Sequence, residues 1–262
     1  MSIDVVDLRN FYAQRLGVAA RRFVGRGIRM RFADTRGMSV LGVGYATPYL
    51  GQFREEAERC LAFMPAAQGV VKWPSARAGL AALVDEIELP LPDAAVDRVL
   101  LVHALEMAHD AGALLREVWR VLAAGGRLLA VVPNRRGLWA RMDTTPFGHG
   151  RPFSRTQINF LLRETWFTPI GWSEALYVPP IARGWFLRSA VAWERTGATL
   201  SAPFAGVHIV EATKQVYRAI PARRERRRLV PELEPVLAPS PGGAARVSIG
   251  GRESVVTRRS DG

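Results

Sequence analysis

Cysteine is almost absent. Cys60 is the only one among 262 residues, so no intrachain disulfide can form and metal sites built on paired cysteines are excluded. No apolar run approaches the roughly 20 residues that a membrane-spanning helix needs. Residues 1–8 alternate acids with apolar side chains and lack the apolar centre of a signal peptide. These absences predict a soluble, cytoplasmic chain with no membrane contact. Serine, cysteine and histidine do not cluster as a nucleophile elbow requires, so no triad is expected. Acids are outnumbered: 36 Lys+Arg face 24 Asp+Glu, a formal charge of +12 with a pI near 11.1. Such a charge admits a nucleic-acid or acidic-surface partner. Most arginines nevertheless read as dispersed rather than striped, which favours a compositional origin.

What is present is organised around Val40-Leu41-Gly42-Val43-Gly44-Tyr45-Ala46-Thr47-Pro48-Tyr49-Leu50. It reads as a buried strand, a glycine turn and a helix start, with Thr47 as N-cap and Pro48 at the first helical position. Such a junction is where α/β folds bind nucleotide-like ligands, and it predicts an open crevice at residues 42–48. A full dinucleotide fingerprint is missing, because Gly42 and Gly44 are the only glycines.

The periodicity predicts helices over 4–16 and 19–32, interrupted at Gly17, and a helix from 48 to about 59. Strands are expected at 38–43, 60–64, 80–84, 97–104 and 127–132, with a short one at 70–71. Their nearly continuous apolar runs suit a parallel sheet buried on both faces. Asp110 should cap a helix carrying Leu115, Val118, Trp119 and Leu122, ended by Gly125-Gly126. Residues 135–153 form a long Arg-, Gly- and Pro-rich loop of the kind that often carries function. Ser154 and Gln157 make a capping box for a helix to about Trp166. A strand at 170–177, an aromatic-rich helical stretch at 183–194 and an edge or antiparallel strand at 206–217 follow. Residues 221–262, with nine arginines and many prolines and glycines, read as a basic disordered tail. Residues 1–220 then form one domain.

Three segments carry a family resemblance. They are the strand–turn segment 40–50, the run Val84-Asp-Glu-Ile-Glu-Leu-Pro-Leu-Pro-Asp-Ala-Ala-Val-Asp97, and Leu101-Val-His-Ala-Leu-Glu106 continued by Leu114-Leu-Arg-Glu-Val-Trp-Arg-Val-Leu-Ala-Ala-Gly-Gly-Arg-Leu-Leu-Ala-Val-Val-Pro-Asn134. Together they resemble the class I S-adenosylmethionine-dependent methyltransferases of the small-molecule type, most clearly over 40–134. The resemblance implies a doubly wound, mostly parallel seven-stranded sheet with helices on both faces and an antiparallel last strand. It implies S-adenosylmethionine as cofactor, no metal, and a small-molecule acceptor. The cofactor site would comprise Gly42, Gly44, Ala46, Asp85 and His103, with Asp85 meeting the adenine amino group. His149, Arg151 and Tyr12 are the substrate-side candidates.

This chain departs from the family at three points. The acid that ends the first strand is Gly42, the later turn glycines are Ala46 and Pro48, and no ribose-binding acid stands near Met64-Pro65. Ala46 at positive φ would cost about 1–2 kcal/mol. Methyl transfer is an in-line displacement that needs positioning more than a fixed catalytic set, so no catalytic residue is named. A methyltransferase-like binding or regulatory protein without catalysis is the alternative, as is an RNA-directed methyltransferase. No Asn/Asp-Pro-Pro-aromatic tetrapeptide follows the fourth strand, which counts against methylation of a base amine.

Overall fold

Strands that are apolar at every position must be covered twice, and the chain does this with helices on both faces of one sheet. A computed structural model describes residues 3–76, 78–181 and 205–215. The strands are β1 (Ser39–Gly44), β2 (Arg59–Pro65), β3 (Ala81–Val84), β4 (Val96–Val102), β5 (Leu122–Pro133), β6 (Phe167–Ala175) and β7 (Val207–Lys214). Their order is β3-β2-β1-β4-β5-β7-β6. β1 to β5 are mutually parallel, and β7 inserts antiparallel between β5 and β6. The helices are α1 (Val5–Ala13), α2 (Arg15–Arg31), the single turn α3 (Thr47–Leu50), α4 (Ala111–Val121) and α5 (Arg155–Glu164).

Alternate strand residues point to opposite faces, and they sort into two cores. Val40, Leu100, Leu129 and Ile209 pack with Leu8, Val24 and Ile28 of α1 and α2. Leu41, Val99, Leu101 and Leu128 pack with Leu115, Val118, Ile158 and Leu162 of α4 and α5. From β1 the chain steps outward to β2 and β3, then returns to place β4 on the other side of β1. The strand order therefore reverses between β1 and β4, and the crevice at their carboxyl ends is the topological switch point.

Several local expectations hold. Asp110 caps α4 by accepting from the N–H groups of Gly112 (2.8 Å) and Ala113 (2.9 Å). Both halves of the Ser154–Gln157 capping box are made. Other expectations are corrected. The first two helices break at Gln14, not Gly17; Gly17 lies inside α2, where a Cβ would collide with the Phe11 carbonyl. Thr47 is not a cap. Ala46 holds that position without a side-chain bond, and its φ of −84° removes the strain expected there. The helix expected to reach residue 59 is one turn long, and turns continue toward β2. Residues 70–71 form no strand.

The glycines at 125 and 126 do not end α4. It ends at Val121, and the chain passes directly into β5, whose register against β4 shifts between Val96 and Arg98. α5 ends at Glu164, two residues short of Trp166. β7 is antiparallel but interior, and β6 is the edge. The expected helical stretch at 183–194 and the tail at 221–262 lie outside the described residues. No helix among the described residues is long and apolar enough to cross a membrane.

Two glycines with left-handed backbone separate conformational cost from steric cost. Gly37 has φ +65° and open space around its missing side chain, whereas a Cβ on Gly44 (φ +81°) would run into the Val102 carbonyl and Ala104. Gly37→Ala should cost about 1–2 kcal/mol, the backbone penalty alone. Gly44→Ala should cost clearly more. Urea unfolding midpoints of the two variants check the difference.

Candidate functional site

Gly44 turns the end of β1 so that the Tyr45 N–H donates to the Val102 carbonyl at 2.8 Å. This ties β1 to the end of β4 at the switch point. The missing side chain of Gly42 is used in a different way. Leu50 Cδ1 and Ala46 Cβ lie 2.6 and 2.7 Å from where its Cβ would be, so the first turn of α3 folds down onto β1. The crevice expected to be open at 42–48 is therefore packed with the chain's own side chains.

α1 adds to that packing. The Val5 N–H donates to the Gln68 carbonyl at 2.8 Å, which anchors α1 to the turn after β2. About two helical turns further on, Tyr12 enters the crevice. Its ring stacks on Tyr45 (centroids 5.7 Å apart) and meets Tyr49 edge-on. Its hydroxyl lies 3.1 Å from the Tyr49 hydroxyl and 2.9 Å from His103 Nε2. His103 directly follows β4 with φ +50° and is buried. Its Nδ1 is 3.2 Å from Glu106 Oε1, its ring is 4.8 Å from Phe147, and its carbonyl accepts from the Gln68 amide.

Tyr49, Tyr12, His103 and Glu106 thus form one buried polar chain. Burial pushes the phenols of Tyr12 and Tyr49 well above their ordinary range, so both stay protonated at neutral pH. The consistent arrangement has Tyr12 O–H donating to His103 Nε2 and Nδ1–H donating to Glu106. Among the described residues, the buried Glu106 Oε2 has no hydrogen-bond partner. A buried acceptor left unmatched is uncommon and calls for an explanation.

The structure gathers Gly42, Gly44, Ala46, Tyr12 and His103 in this one place. It does not bring the other expected residues there. Asp85 is exposed just beyond β3, where its carboxylate accepts from the Ile87 N–H at 3.0 Å and closes its own turn. His149 is bonded to the Asp143 carbonyl and lines a cavity of about 340 Å³ with Ile3 and Asp7. Arg151 instead lines a cavity of about 840 Å³ with Arg135, His109 and Phe153. Two residues apart in sequence, His149 and Arg151 face different spaces.

Sequence reasoning missed Glu106, Gln68 and Phe147. The three-residue step from His103 to Glu106 was a usable signal. Nothing in the sequence near Gln68 or Phe147 marks them. Among the described residues no group of three or more His, Cys, Asp or Glu could hold a metal ion.

Residues 24–130 match the family model described as "Methyltransferase domain". The chain is 36% identical over 85 residues to a probable S-adenosylmethionine-dependent methyltransferase of Mycobacterium tuberculosis, covering 32% of this chain and 31% of that one. A relative from Mycolicibacterium smegmatis is 38% identical over 82 residues, 30% of this chain and 32% of its own. The chain thus spans about a third of the length of the curated relatives it matches. Among solved structures, a Thermotoga maritima methyltransferase described as a possible histamine N-methyltransferase superposes with TM-score 0.57 at 14% identity, over 80% of this chain and 96% of that one. The [4+2]-cyclase SpnF superposes with TM-score 0.55 at 23% identity, over 76% and 82%. These likenesses establish the fold. Taken with the strand order, the match over residues 24–130 makes the fold that of a class I S-adenosylmethionine-dependent methyltransferase, with the matched domain over β1 to β5.

Proposed function

We propose that the chain transfers a methyl group from S-adenosylmethionine to a small acceptor. The observation that supports this most directly is the matched methyltransferase domain lying over the β1–β4 switch point. When bound there, the cofactor supplies the activated methyl group. The backbone at Gly42 and Gly44 would lie against it, the unpartnered Glu106 oxygen offers an acceptor for its ammonium or ribose hydroxyls, and Asp85 beyond β3 would meet the adenine amino group. The strand frame and the spare acceptor suit such a ligand. The side chains of α1 do not, since Tyr12 fills the space.

Cofactor entry therefore requires α1 to lift Tyr12 away from Tyr49 and His103. That movement uncovers His103 Nε2, already oriented through Nδ1 by Glu106. His103 is then placed to take a proton from an acceptor that must lose one. The cavity holding Arg135 and Arg151 is the acceptor side of this reading. Both guanidiniums are exposed, and neither has a carboxylate partner among the described residues, which suits an anionic acceptor.

The packed crevice also favours a second reading, a methyltransferase-like protein that binds a partner without catalysis. SpnF, a cyclase by name, is a reminder that a fold does not dictate its chemistry.

Isothermal titration with S-adenosylhomocysteine separates the two. Methyl transfer predicts saturable binding that Asp85→Ala weakens. Tyr12→Phe removes two hydrogen bonds that hold the closed state, each worth about 1 kcal/mol. It should tighten the apparent affinity by up to about thirtyfold by enlarging the competent population. Absence of heat with both wild type and Tyr12→Phe selects the non-catalytic reading.

A further inference from the structure

The arginines that look dispersed in the sequence are not dispersed on α2. Residues 15–31 contain six arginines and no acid. Two of the six have structural work: Arg29 pairs with Glu56 at 2.5 Å, and Arg31 reaches Glu211, the Trp172 carbonyl and Ser173. Arg21, Arg22 and Arg26 are exposed and have no carboxylate partner among the described residues. Like charges at i, i+4, as at Arg22 and Arg26, oppose helix formation.

These three arginines, with Arg29, stand around a groove of about 770 Å³ between α2 and α3. Gly25 opens the groove. With no side chain there, the Tyr49 ring forms the floor, 3.6 Å from where a Cβ would sit. Two further donors on lining residues, Arg29 Nη1 and Gln52 Nε2, are buried and have no partner among the described residues. The remaining lining is apolar. Val18 and Met30 are 44% and 63% exposed, and Pro48 of α3 completes the apolar lining. Guanidiniums and unmatched N–H groups call for an oxyanion, and guanidinium forks match phosphate oxygens in pairs. The apolar floor calls for a hydrocarbon body beside that anion.

We propose that the α2–α3 groove is a binding site for a phosphate-bearing amphiphile, a phosphomonoester or phosphodiester head on an apolar body. Size favours a small ligand over a polynucleotide. The groove holds one head and a short chain, and its only aromatic ring, Tyr49, is 2% exposed and offers no stacking face to bases. The site is independent of the cofactor reading.

The test is titration of the full chain with hexyl phosphate, with inorganic phosphate as the head-only arm. Phosphatidylglycerol vesicles against phosphatidylcholine vesicles form the bilayer arm. Two variants separate charge from space. Arg22→Ser/Arg26→Ser removes charge. Gly25→Leu fills the groove without altering charge and replaces a poor helix former by a good one, so its melting temperature should not fall. Hexyl phosphate should bind saturably and lose at least tenfold in affinity in both variants. Inorganic phosphate should bind more weakly and respond to the arginine variant alone. Retention by phosphatidylglycerol vesicles that Gly25→Leu abolishes assigns the head to a lipid; no retention assigns it to a soluble ligand. The proposal is overturned if neither hexyl phosphate nor phosphatidylglycerol binds, or if Gly25→Leu leaves binding intact. Binding of single-stranded RNA alone, indifferent to Gly25→Leu, overturns it as well and reduces α2 to a general basic surface.

Discussion

The tie between Tyr45 N–H and the Val102 carbonyl governs the functional end of the molecule. It exists because Gly44 can adopt φ +81° beside a backbone that leaves no room for a Cβ. Once β1 and β4 are joined there, the position of α3 follows, because the chain leaves the turn at Ala46 and can only fold back over Gly42. The position of Tyr49 follows from α3, and that of His103 from the end of β4. Tyr12 then finds two hydrogen-bonding partners at fixed places. The buried polar chain is a consequence of one tight turn at a parallel strand end.

That chain has an uneven character. Tyr49, Tyr12 and His103 satisfy one another, whereas Glu106 keeps one oxygen unmatched in a buried setting. Leaving a buried acceptor unmade costs about 1–3 kcal/mol, more for a charged group. Removing Tyr12 from the crevice would expose His103 Nε2 as well. The closed arrangement is thus stabilised at one end and frustrated at the other. A ligand that supplies donors to Glu106 gains from the second what it loses at the first.

Much of the sheet could be read from residues alone, because doubly buried strands advertise themselves as unbroken apolar runs. Val96, Val99, Leu100, Leu101 and Val102 left little choice. Caps were equally legible: Asp110 and the Ser154–Gln157 box are local chemistry. Errors arose where a glycine's role depended on a distant neighbour. Gly17 reads as a helix breaker, but it serves the crossing of α1 over α2 at Phe11. The glycines at 125 and 126 read as a helix end, but they lie within a strand whose register slips. The site was half visible. Motif residues at strand ends came together, since topology puts strand ends together. His149 and Arg151 did not, because positions two residues apart in an irregular loop have no shared periodicity. The entry of Tyr12 from α1 could not be foreseen, as no local pattern tells where an N-terminal helix docks.

Tyr49 belongs to both spaces. Its ring floors the arginine groove and its hydroxyl ends the polar chain of the crevice. Any coupling between an occupant of the groove and the state of α1 would have to pass through this side chain, and its size has a ceiling. The Tyr49–Tyr12 bond is a single neutral hydrogen bond, worth about 1 kcal/mol net. Coupling is reciprocal, so groove occupancy and crevice opening could alter one another's equilibrium by about fivefold through it. An influence larger than that would need the ring itself to move. The packing of Tyr49 against Tyr12 and beneath Gly25 resists such a shift, since interiors this dense respond by switching arrangement rather than by yielding gradually.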